Sequence, residues 1–101
     1  MDETPPLPEP LWTQDEAINF EVAREAINDV MSICTQQIGL EKRKANPDTA
    51  LIEALYARRS ALNQERTALR LKDHEEIARI TKEYGAFART WDAQQDSRAA
   101  E

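Results

Sequence analysis

Apolar residues recur along much of this chain every three or four positions, the spacing of one face of a helix. Phe20, Ala23, Ile27, Val30, Cys34 and Ile38 form the first such stripe, and Ile18, Ala26 and Met31 widen it. The stripe has a clear start. Thr13-Gln14-Asp15-Glu16 reads as a capping box, with the Thr13 hydroxyl accepting from the Glu16 N–H and the Glu16 carboxylate reaching back to the Thr13 N–H. Acids at this end and Lys42, Arg43 and Lys44 at the other both suit the helix dipole.

Asn46-Pro47-Asp48-Thr49 is the strong break, with Asn46 as the expected N-cap and Pro47 at the first helical position. A connection this short makes the flanking helices antiparallel neighbours. In the second helix Leu55, Leu62 and Leu69 repeat every seven residues, beside Leu51 and Ile52. A stripe of Ala50, Ala54, Ala57, Ala61 and Ala68 lies about 100° round from the leucines. Two apolar faces on one helix predict two partners.

The pattern continues through Leu62, Arg66, Leu69, Asp73, Ile77, Ile80, Tyr84, Phe87 and Trp91. Over that span the phase returns to within about 20° of where it began, so one helix from 47 to about 92 fits. The leading fold is therefore all-α: a long antiparallel helical hairpin, paired with a second copy in a dimeric, coiled-coil-like helical bundle. The alternative is a three-helix monomer broken near Asp73, where Asp73-His74-Glu75-Glu76 matches a capping pattern.

The turn sets the register. Residue i of helix 1 should face about 91 − i, so that Phe20 meets Leu71 and Ile27 meets Gln64. Asp15, Glu16, Glu21, Glu25 and Asp29 then lie beside Arg58, Arg59, Arg66, Arg70 and Lys72. On a continuous second helix, helix 1 runs out near residue 77. Ile80, Tyr84, Phe87 and Trp91 would then stand uncovered, and these four are the expected partner interface.

Composition narrows the reading. A chain of 101 residues makes one domain with a modest core. Residues 1–12 form a proline-rich acidic arm, 13–92 the hairpin and 93–101 a frayed polar tail. The net charge of −6 argues against general nucleic-acid binding, but residues 41–72 carry a local +4. A single cysteine precludes an internal disulfide and suits a reducing compartment. The first residues have neither a basic n-region nor an apolar h-region, and no apolar run reaches membrane-spanning length. A cytoplasmic location without membrane contact is expected.

Chemical candidates are few. Glu21, Glu25 and Asp29 share a helical spacing, but a magnesium site needs acids on a facing helix, and the facing stretch is basic. His74 has no nucleophile placed beside it, and Cys34 sits on the apolar stripe without a neighbouring base. Pro5 and Pro8 have PxxP spacing, which arises readily in any proline-rich arm. Lys42, Arg43, Lys44, Arg58 and Arg59 are the candidate anion or nucleic-acid contacts, with Tyr56 the sole aromatic interleaved. No catalytic residue, metal or cofactor is expected. The leading function is a non-enzymatic adaptor or regulator acting on itself and on another, unidentified protein. A nucleic-acid accessory protein using segment 42–72 comes second, and a metal-dependent helical hydrolase third.

Overall fold

The computed structural model describes residues 11–99, which contain three helices: α1 (Gln14–Lys42), α2 (Thr49–Ala68) and α3 (His74–Ala99). The described chain is all-α, and no helix in it is long and apolar enough to cross a membrane. The proline-rich arm, residues 1–10 with its PxxP spacing, lies outside the described residues.

α1 begins at the expected capping box. The Thr13 N–H donates to Glu16 Oε1 at 2.8 Å, and the Glu16 N–H donates to Thr13 Oγ1 at 3.1 Å. Ala23, Ile27, Val30, Cys34 and Ile38 are buried, and Phe20 packs at the edge of the same cluster. Ile33 is buried as well. Ile18 departs from expectation and is 52% exposed. It lies about 200° from Phe20 round the helix, so the face that buries one turns the other outward.

α2 begins at Thr49 rather than Pro47. Its N-cap is Asp48, whose Oδ1 accepts from the Leu51 N–H at 3.0 Å, while Asn46 and Pro47 stay in the connection. The Glu41 carboxylate takes the Asp48 N–H at 2.9 Å and so ties the turn to the end of α1. Leu55, Leu62 and Leu69 are buried as their spacing requires. The antiparallel register also holds, from Lys72 opposite Glu16, through Arg66 beside Asn28 and Arg59 beside Thr35, to Lys42 beside Tyr56. Of the acid–base pairs expected between α1 and the basic stretch, Glu16–Lys72 forms, whereas Arg59 and Arg66 turn to neutral partners.

The continuous second helix is overturned. The chain leaves α2 at Leu69, which is extended at φ −64° and ψ 133°, and re-enters a helix at His74. Asp73 supplies the turn chemistry. Its Oδ2 accepts from the Arg70 N–H at 2.9 Å, and its carbonyl accepts from the Ile77 N–H at 2.8 Å. The fold back also has a driving force. It places Ile77 and Ile80 in the same core cluster as Leu62 and Leu69, where a straight helix would leave them in water. α3 runs parallel to α1, with His74 beside Glu16 and Trp91 beside Gln36. It continues helical to Ala99, past the expected end near 92, through a run without glycine or proline.

Candidate functional site

The return of α3 joins three parts of the chain at Glu16. Its carboxylate accepts from the Thr13 N–H and from Lys72 Nζ at 2.8 and 2.9 Å, and Oε2 stands 2.6 Å from His74 Nε2. Lys72 foremost, then the Thr13 N–H and His74, hold this carboxyl down to about 2. The side chain is 14% exposed, whereas Lys72 and His74 are open to water. Glu16 thus fixes the start of α3 to the start of α1.

Beside this junction, α1 and α3 flank a cleft of about 390 Å³. Val22, Ile77 and Ala78 give it apolar walls, with Asn19, Thr81 and Lys82 on the rim. Val22 is 42% exposed, and half-exposed Ile18 stands one helical turn before it. A ridge and a hollow thus lie side by side along the first turns of α1, which Leu11 and Trp12, both exposed, precede in the chain.

The expected interface on α3 is corrected, because the fold back turns that stripe inward. Ile80 is fully buried, and Tyr84 and Phe87 pack on the core cluster. The Trp91 indole N–H donates to Gln36 Oε1 at 3.3 Å. Tyr84 also carries a polar bridge between helices. Its hydroxyl donates to the Glu65 carboxylate at 2.8 and 3.0 Å, and Arg79 Nη2 reaches the same carboxylate at 3.1 Å. Burial, then the Glu65 charge, pushes the Tyr84 hydroxyl upward. The alanine stripe of α2 faces outward along its length.

The five expected anion contacts do not form one patch. Lys42 Nζ donates to the Tyr56 hydroxyl at 3.0 Å, and the Arg59 guanidinium lies 5.0 Å from that ring. Arg58 turns the other way, over the Phe87 ring at 4.9 Å. Lys44 pairs with buried Glu41 at 2.8 Å, and Arg43 caps the C-terminal end of α1. Lys42 and Arg59 are instead joined in the α1–α2 groove by Arg66, whose guanidinium donates to Asn28 and Asn63.

Cys34 is buried, and that burial raises its thiol pKa. Glu21, Glu25 and Asp29 are exposed, and no group of three or more metal-binding side chains converges among the described residues. Glu16 caps α1 and meets Lys72 as its spacing predicts, whereas its contact with His74 and the cleft beside it were not foreseen. Ile18 and Val22, four apart and off the main stripe, were the available signal. No protein-family model, curated protein or solved structure matches this chain.

Proposed function

We propose that this chain is a non-enzymatic adaptor or regulator whose contact surface is the α1–α3 cleft with its Ile18–Val22 ridge, and whose first partner is a second copy of itself. The observation that carries this reading is the adjacency of ridge and hollow. A two-fold axis needs a self-complementary patch, in which residue i meets residue j and j meets i. A half-turn beside Ile18 would seat each copy's ridge in the other's cleft and remove Ile18 and Val22 of each copy from water. The result is a dimeric helical bundle built end to end, with the rest of each surface free for a further protein. A lone buried thiol suits the reducing cytoplasm, where we place its action.

Light scattering of the purified chain tests this. At micromolar concentration the mass should be near twice 11.5 kDa, and Val22→Glu should return it to near 11.5 kDa. Ala57→Arg with Ala61→Arg, on the outer face of α2, should leave the dimer intact. A wild-type mass near 11.5 kDa across that range contradicts the proposal.

A further inference from the structure

The groove between α1 and α2 carries a line of cations that form no ion pair among the described residues. Lys42 donates to the Tyr56 hydroxyl, Arg59 Nη1 donates to Thr35 Oγ1 at 2.9 Å, and Arg66 spans Asn28 and Asn63. None of the three pairs with a carboxylate among the described residues, whereas Arg24, Lys44, Lys72 and Arg79 each do. Neutral hydroxyls and amides hold these side chains in place of carboxylates.

The spacing is regular. Arg59 and Arg66 are two helical turns apart on α2, about 10 Å, and the α1 wall from Asn28 to Lys42 spans about 21 Å. Beside Met31, the α2 residues Tyr56, Arg59, Ser60 and Asn63 line an open hollow of about 400 Å³. The Tyr56 ring is 40% exposed beside Lys42 and Arg59.

We infer that this groove binds the phosphodiester backbone of a single-stranded nucleic acid. Guanidinium forks match phosphate oxygens. The interleaved asparagine, serine and threonine groups offer hydrogen bonds between the charges, as sugars and bases need, and Tyr56 offers a ring for stacking. The groove is an open surface channel along two packed helices, a shape that takes one extended strand along its length. An acidic amphipathic peptide would bring apolar side chains to a groove whose hollow holds one aliphatic residue, Met31.

The molecule's net charge of −6 opposes binding at long range, but the acids are unevenly placed. Asp15, Glu16 and Glu21 lie about 10 Å or more along α1 from Asn28, beyond the screening length of about 8 Å at physiological salt. Glu25 and Asp29 flank Asn28, and Glu53 precedes Tyr56 by one turn on the outer side. The positive centre is therefore the Lys42–Arg59 end. This site is on the other flank of α1 from the cleft, so it stands or falls independently of the dimer.

The test is fluorescence anisotropy with a labelled oligothymidylate of about twelve nucleotides at about 50 mM salt. Three phosphate contacts predict that log K falls against log salt with a slope of about −2. Arg59→Gln with Arg66→Gln keeps hydrogen-bonding side chains but removes both charges, and should weaken binding at least ~10-fold with far-UV helicity unchanged. Arg89→Gln, the loss of one charge at an exposed site on α3 and so the match for the single Lys42→Gln change, should alter affinity less than ~2-fold. If the double variant loses helicity, Lys42→Gln alone should still weaken binding ~3-fold. Absence of binding, a slope near zero, affinity untouched by the groove variants, or equal affinity for polyglutamate would each overturn the assignment.

Discussion

Glu16 closes the N-terminal cap of α1 and holds Lys72 and His74 from the return of the chain. Its carboxyl titrates at about 2 in the fold, against an ordinary value of about 4.3. Between those values the unfolded chain binds the extra proton, so stability falls as pH is lowered through that window. Glu16→Gln keeps the capping geometry but loses the charge. Wild type should therefore melt higher than this variant above about pH 5, and the two curves should converge near about pH 2. A gap that stays constant with pH would contradict the charge-based role. Glu41 and Glu76, held low by Lys44 and Arg79, leave the variant some acid sensitivity of its own. Burial separates two other residues in the same way. Leu62→Ala empties a core position and should cost about 2–5 kcal/mol. Glu25→Ala on the open face of α1 should cost under about 1 kcal/mol. Denaturant melts of both variants check the assignment of faces.

At the level of elements, the turn at 69–73 decides what α3 does. Because it folds α3 onto α1, Phe87 and Trp91 contribute to the chain's own packing. Replacing both with serine should lower stability by at least about 3 kcal/mol in a denaturant melt. A double variant as stable as wild type would place those rings outside the core. The start of α1, its buried stripe and the antiparallel register were legible in the sequence, because each rests on local chemistry or unbroken periodicity. The turn was not. Apolar phase runs on from Leu62 to Trp91 almost unchanged, and the discriminating contact is the single Asp73 side chain reaching back to Arg70. The cleft was hidden for a related reason, since its walls lie more than fifty residues apart and meet only once α3 returns. The basic set was half legible. Arg58 and Arg59 are neighbours in sequence but about 100° apart on the helix, so they serve different flanks.

Across the whole molecule, α1 is the central element, with α2 antiparallel on one flank and α3 parallel on the other. Each flank presents a different chemistry. The α1–α3 cleft is apolar and lies beside an exposed ridge, while the α1–α2 groove is lined by cations without acid partners. On the proposed reading, that division would let one small chain pair with itself at one end and keep a charged groove open along its side. The central claim is that Ile18 of one copy enters the cleft of another, and isotope-filtered NOE spectroscopy tests it most directly. A mixed sample of labelled and unlabelled chains should give intermolecular cross-peaks from the Ile18 methyls to Ile77 and Ala78, and Val22→Glu should abolish them. Intermolecular cross-peaks confined to Ala57 and Ala61, or none under conditions where the chain associates, would contradict the account.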